Sequence, residues 1–314
     1  MSEVESYRSG FVALVGPPNV GKSTLINRVV GEKIAIVSPK PQTTRQRVLG
    51  ILHTSDLEMV FVDTPGLHQA NGKLHRFMNK TATRAMADAD VVAFVLDVHQ
   101  RSIQGEISQA VARELAKLTG VKVPVLLVIN KIDRIQKNTL LPYIDKLRHL
   151  HQFHEVIPIS ARTGDGVDRF ITVTSNLLPQ GPRMYELDQV TDVSERQAVS
   201  ELVREQIFLQ LHQEIPYAVA VETENFHSTT DALGAPVVEI EACILVAKDS
   251  QKPIIIGKGG TRLKQIGIKA RAEIERLLGC HVRLHLFVKH VDRWFDRENI
   301  LQELGYSESQ LTKS

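Results

Sequence analysis

Gly16-Pro-Pro-Asn-Val-Gly-Lys-Ser23 fits the pattern G-x-x-x-x-G-K-S, and its setting decides how the rest of the chain is read. The apolar run Phe11–Val15 precedes it and a helical pattern, Lys22–Val30, follows. A strand, a glycine-rich loop and a helix in that order aim successive backbone N–H groups at one point. The positive end of the helix dipole adds to them, so the loop can cradle phosphate oxygens. Lys22 is placed to reach the β- and γ-phosphates of a nucleotide, and Ser23 to ligate Mg²⁺. A match of this kind arises by chance in about one in a hundred chains of this length. We therefore assign Gly16, Pro17, Pro18, Asn19, Val20, Gly21, Lys22 and Ser23 to nucleotide binding.

Outward from the loop, short apolar runs alternate with helical patterns as far as Leu178. Strands are expected at Phe11–Val15, Arg47–Leu52, Leu57–Val62, Val91–Asp97, Pro124–Asn130 and Val156–Ile159. Helices are expected near Lys22–Val30, Lys73–Ala87, Ile103–Leu118, Asn138–Leu150 and Gly166–Leu177. The pattern predicts an α/β fold: a mostly parallel sheet with helices on both faces. The second and third strands are joined by a short turn and should be antiparallel.

Further motifs sit at the C-terminal ends of these strands, where ligands of open α/β sheets bind. Asp63-Thr64-Pro65-Gly66 follows one strand; a carboxylate there suits Mg²⁺ and the Gly66 N–H suits the γ-phosphate. Asn130-Lys131-Ile132-Asp133 follows another. The two acceptors of Asp133 match the N1–H and N2–H donors of guanine, a pair adenine does not offer. Asn130 would brace the loop and the Lys131 stem would lie against the ring. The backbone of Ser160-Ala161 after the last strand could reach guanine O6.

Leu178-Pro-Gln-Gly-Pro-Arg183 is a linker signal. It separates an expected nucleotide domain, 1–178, from a linker, 179–193, and a second domain, 194–314. There the order becomes helix, two strands, short helix, Gly257-Lys258-Gly259-Gly260, helix, strand. G-x-x-G alone occurs about once by chance in such a chain. Its charge setting is less ordinary. Lys248, Lys252, Lys258, Arg262, Lys264, Lys269 and Arg271 outnumber one acid, Asp249, in a chain of net charge +2. That is an electrostatic footprint for a polyanion, with Arg262 and Lys264 beside the loop.

The chain has 314 residues, 43% of them apolar and 24% charged, enough for two ordinary cores. Its two cysteines, Cys243 and Cys280, make no framework, which fits a reducing compartment. The N-terminus carries no signal-peptide pattern and no apolar run nears the ~20 residues of a membrane span. With no heptad or exposed apolar stripe, a monomer is expected. His149, His151 and His154 lack partners at ligand spacing and read as a solvated helix end. Trp294 reads as core.

Together the four nucleotide motifs resemble the Ras-like GTPase superfamily. Pro41-Gln-Thr-Thr-Arg45 resembles the first switch of its bacterial Era/TrmE group. That resemblance implies GTP and GDP as ligands, and a switch threonine, Thr44 before Thr43, that ligates Mg²⁺ with Ser23 and Asp63. The implied catalytic set is Lys22, Thr44, Gly66 and Asn19, since relatives with Asn at the Asn19 position hold a potassium ion beside the phosphates. Leu67 departs from the Ras pattern, where a Gln orients the attacking water, so slow intrinsic turnover is expected. Arg45 and Arg47 are finger candidates only by position. The second domain resembles the type II KH domain, whose GxxG loop clamps single-stranded nucleic acid. This domain pair implies binding to the 3′ end of 16S ribosomal RNA, a role in 30S subunit maturation in the cytoplasm, and peripheral contact with the inner membrane. Two rivals stay open: a GTPase acting on a protein or membrane partner without RNA, and an RNA adaptor that holds GTP without useful turnover.

Overall fold

The computed structural model describes residues 7–65, 72–98 and 109–306. Its contacts divide them into two units. The first comprises 7–35, 44–65, 78–98 and 109–192, and the second comprises 36–43, 72–77 and 193–306.

The first unit is built on a six-stranded sheet in the order β2-β3-β1-β4-β5-β6. The strands are β1 (Arg8–Val15), β2 (Val48–His53), β3 (Leu57–Asp63), β4 (Val91–Asp97), β5 (Val125–Asn130) and β6 (Glu155–Pro158). Only β2 runs antiparallel to its neighbour, as its short turn to β3 requires. Helices α1 (Lys22–Val30), α2 (Lys73–Ala87, in this unit from Met78 onward), α3 (Gln109–Ala116), α4 (Lys137–Arg148) and α5 (Val167–Leu177) follow in chain order. The sheet is buried on both faces. On β1, Val12 and Leu14 join one cluster with Leu25, Ile26 and Phe170, while Ala13 and Val15 join another with Leu127, Tyr143 and Leu147. Burying each large aliphatic side chain contributes about 1.5–3 kcal/mol.

The expected helix Ile103–Leu118 is seen over Gln109–Ala116; residues 99–108 lie outside the described residues. So do Gly66, Leu67 and the rest of 66–71.

The stretch read as a linker is held along the first unit. The Pro179 and Pro182 carbonyls accept from the Ser9 N–H and hydroxyl at 3.2 and 2.7 Å. Buried Glu58 accepts from the Met184 and Tyr185 N–H groups at 2.9 and 3.2 Å. The edge strand β2 donates from Ile51 to the Val190 carbonyl and from Leu49 to Asp192. These bonds satisfy an edge that would otherwise present open N–H groups. Prolines and glycine predict a break in regular structure, which is present; they say nothing of backbone bonds formed outside regular elements.

The second unit has helix α6 (Glu195–Gln210), strands β7 (Val219–Thr230), β8 (Pro236–Val246) and β9 (His281–His290), and helices α7 (Lys252–Ile256), α8 (Thr261–Leu278) and α9 (Glu298–Glu303). The sheet order is β7-β8-β9, with β7 antiparallel and β9 parallel to β8. Ser194 caps α6 by accepting from the Gln197 N–H. Val199, Val203 and Ile207 of α6 pack with Ile266, Ala270 and Ile274 of α8 over Ile240, Ala242 and Ile244. Trp294 is fully buried and its Nε1 donates to the Ala218 carbonyl at 2.8 Å.

Candidate nucleotide and nucleic-acid sites

The β1–α1 loop passes between β3 and β4, where the sheet order reverses. Gly16 has φ +137°, and a Cβ there would sit 2.2 Å from the Val95 carbonyl oxygen. Only glycine lets the loop cross β4 so closely. Lys22 is buried, and its Nζ donates to the Gly16 and Pro17 carbonyls at 3.0 and 3.1 Å, curling the loop around its own side chain.

Three oxygens converge at the mouth of α1. Ser23 Oγ donates to Asp63 Oδ2 at 2.6 Å and lies 2.9 Å from Thr44 Oγ1, which is 3.3 Å from the same carboxylate oxygen. Asp63 Oδ1 is buried with no hydrogen-bond partner. Two hydroxyls, one carboxylate and an unsatisfied oxygen make a hard donor set that suits Mg²⁺ with retained waters. Thr43 is turned away: its hydroxyl is within bonding distance of Ser38 Oγ and donates to the Lys40 carbonyl. Thr64 bonds the Leu14 carbonyl and ties β3 to β1.

Electrostatics favour the same ligands. Burial lowers the Lys22 ammonium below its ordinary value, opposed by the Asp63 carboxylate. Burial likewise raises Asp63, opposed by Lys22 and by bonds from Ser23 and Thr44. Each buried charge is pushed toward its neutral form, so a ligand bringing phosphate to Lys22 and a cation to Asp63 is well matched. Of the arginines considered for phosphate charge, Arg47 lies 3.9 Å from Asp192 and Arg45 is buried.

At the other end of the site Asn130 ties three loops together. Its Nδ2 donates to the Val20 carbonyl at 2.8 Å, and its Oδ1 accepts from the Lys131 and Ala161 N–H groups at 2.7 and 2.9 Å. Lys131 takes a left-handed backbone, φ +67°. Its Nζ bonds the Asn19 carbonyl and lies 3.0 Å from Asp97. The Asn19 side chain is exposed on a left-handed residue, φ +64°. Asp133 accepts from buried Ser160 at 2.7 Å and from Arg162 at 2.6 Å. Burial pushes its carboxyl upward, but the bonds from Ser160 and Arg162 and the Arg162 charge outweigh that and hold it below the ordinary carboxylate value. Ile132 opens the single turn that carries Asp133. Neither Asp97 nor Arg28, which bonds the Ala161 and Arg162 carbonyls, was legible in the sequence. Both lie far along the chain from the groups they hold.

In the second unit Gly257, Lys258, Gly259 and Gly260 form the turn between α7 and α8, with Gly257, Gly259 and Gly260 at positive φ. A cleft of about 410 Å³ opens beside it. Gly260, Leu263, Lys264, Gly267, Ile268 and Arg271 of α8 and its entry form one wall, and Leu284, His285, Leu286 and Phe287 of β9 the other. Lys264 thus lines the cleft, whereas Arg262 turns back to donate to the Ile254 carbonyl at 2.5 Å. Of the three isoleucines before the loop, only Ile255 is fully buried; Ile254 is 42% exposed. The sequence reading missed Ile268 and Phe287, 49% and 52% exposed. A signal was present: Phe287 falls in register with His281, Arg283, His285 and Lys289, the polar-facing positions of β9.

Known proteins resemble the chain in both of its units. Residues 11–131 match the model of a 50S ribosome-binding GTPase family, and residues 214–295 match the KH domain model. A GTPase Era from Geobacter metallireducens is 46% identical over 301 residues, covering 96% of this chain and 98% of that protein. One from Lactobacillus helveticus is 46% identical over 312 residues, covering 99% and 100%. Among solved structures, Era in complex with MgGDPNP and nucleotides 1506–1542 of 16S ribosomal RNA is similar with a TM-score of 0.88 at 35% identity, covering 96% of this chain and 99% of that one. A variant of Aquifex aeolicus Era bound to GDP and aluminium fluoride gives 0.87 at 35% identity, with the same coverage. Identity of this order along nearly the full length of both chains makes the protein a member of the Era family of GTPases.

Proposed function

We propose that this GTPase is a nucleotide-controlled switch that grips the 3′ end of 16S ribosomal RNA and assists maturation of the 30S subunit. The cleft between α8 and β9 carries the RNA reading. It pairs a glycine loop for close backbone approach with Lys264 and Arg271 for phosphate and with exposed Ile268 and Phe287 for unstacked bases. The solved relative holding a 16S RNA fragment supports the choice of RNA. Crosslinking the protein to RNA in cells and sequencing the attached fragments tests it. Reads concentrated at the 3′ end of 16S RNA are expected; recovery of unrelated RNA, or none, overturns it and favours a protein partner.

Control by nucleotide has a local basis. Thr44 stands with Ser23 and Asp63 in the first unit, while its neighbour Thr43 belongs to the second, where its carbonyl accepts from Arg204 of α6. A hydroxyl drawn to Mg²⁺ and a carbonyl held by Arg204 are one peptide bond apart, so ordering of the first bears on the second.

In hydrolysis Lys22 and the loop N–H groups of Gly16–Ser23 meet charge that grows on the phosphoryl oxygens. Ser23, Thr44 and Asp63 would hold Mg²⁺, which supplies further positive charge there. Leu67 leaves the attacking water without a polar side chain at that position, so turnover is slow unaided. Exposed Asn19 is the side chain that would hold a potassium ion beside the phosphates. Turnover faster in potassium than in sodium is expected, and equal rates remove that ion from the account. On this reading the protein works in the cytoplasm as a monomer and touches the inner membrane only peripherally. Among the described residues no helix is long and apolar enough to cross a membrane.

A further inference from the structure

Asp133 is bonded from two sides that differ in kind. Ser160 is fully buried and donates to Oδ1 from the protein interior at 2.7 Å. Arg162 is 73% exposed and its Nη2 donates to Oδ2 from the solvent side at 2.6 Å. A base entering the site also comes from solvent. Guanine presents two donors, N1–H and N2–H, and needs an acceptor lone pair on each carboxylate oxygen. Each oxygen already accepts one bond, and the one on Oδ2 comes from a charged donor on the solvent side, where the base would approach. The segment bearing Arg162 is not loose: Arg28 of α1 donates to the Ala161 and Arg162 carbonyls, and the Ala161 N–H is held by Asn130 at 2.9 Å. The backbone that carries the guanidinium is thus held in place, while the side chain itself is exposed to solvent.

We infer that Arg162 is a specificity-determining residue that competes with the guanine edge for Asp133, so that it weakens guanine nucleotide binding and narrows the preference for a two-donor base. The inference rests on Asp133 being the group that reads the base. An exposed ion pair is worth little, so the effect is a tuning and not a block: removing Arg162 should tighten GDP binding about threefold. Hypoxanthine lacks the exocyclic amine and offers one donor, which can settle on the oxygen that Arg162 leaves. Its nucleotide should gain less.

Equilibrium titration of GDP and IDP against the full chain, its Arg162→Ala variant and its Arg162→Gln variant tests this. The expected result is a lower GDP dissociation constant for both variants, a smaller change for IDP, and so a wider GDP-to-IDP ratio. Weaker or unchanged GDP binding in the variants, or an equal gain for both nucleotides, overturns the competition. Failure of the base-site reading itself would look different: the unaltered protein would then show no preference for GDP over IDP.

Discussion

The hydroxyl of Thr44 lies 2.9 Å from the hydroxyl of Ser23, and both stand within hydrogen-bond distance of one oxygen of Asp63. Residues from a helix start, a loop and a strand end meet there with their oxygens aimed at one point. Such a set suits a cation that accepts oxygen ligands.

Ser23→Ala removes one of those oxygens, the one proposed to ligate Mg²⁺. GTP affinity in the presence of Mg²⁺ should fall by at least about tenfold, or ~1.4 kcal/mol, while affinity in EDTA changes little. Titration in the two buffers checks it; an equal loss in both would mean that Ser23 acts on the loop and not on the metal.

Asn130→Ala should damage stability as well as binding. Asn130 is 2% exposed, and truncation strands the Val20 carbonyl and the Ala161 N–H. Each buried orphan costs about 1–3 kcal/mol, so a loss of roughly 2–6 kcal/mol is expected in urea unfolding followed without nucleotide. A shift near zero would show that water replaces the amide.

The RNA and nucleotide functions should separate. Gly259 has φ +59° and open space where a Cβ would go, and aspartate tolerates that backbone. Lys258→Asp with Gly259→Asp reverses the charge of the loop and should abolish RNA binding while GTP turnover without RNA is retained. Phe287→Ala, at a 52% exposed site, should weaken RNA binding by about 1–3 kcal/mol without loss of stability. Filter binding and melting curves read the two effects apart.

Asp133 offers a test by pH. Its folded-state pKa lies below the ordinary 3.8 because bonds from Ser160 and Arg162 outweigh the upward push of burial. The stability it contributes is therefore present above the ordinary value and is lost as pH falls through the depressed one. Carboxyl carbon NMR should place its midpoint under 3.8, and Arg162→Ala should move that midpoint upward. A midpoint at or above the ordinary value contradicts the bonding described.

The phosphate loop, the sheet and the order of elements around the GxxG turn were legible because local signals carry them. An unbroken apolar run marks Val91–Asp97 as a buried strand, and glycine spacing marks Gly16–Ser23. What escaped was contact across distance. Glu58 receives two N–H groups from residues 184 and 185, and Lys131 finds Asp97. The alternation along β9 puts His285 and Phe287 on its polar face, but that this face meets α8 across a cleft needs the assembled sheet. The sequence ranked Thr44 before Thr43 by resemblance alone; the physical difference is that the backbone turns one hydroxyl toward Ser23 and the other toward Ser38.

The central claim is that the nucleotide bound in one unit sets the hold on RNA in the other. The most direct measurement is the affinity for a labelled single-stranded RNA carrying the 3′-terminal sequence of 16S RNA, taken at one fixed salt concentration with a non-hydrolysable GTP analogue and with GDP. Tighter binding by at least about fivefold, ~1 kcal/mol, with the analogue is predicted. Equal affinity in the two states would contradict the switch.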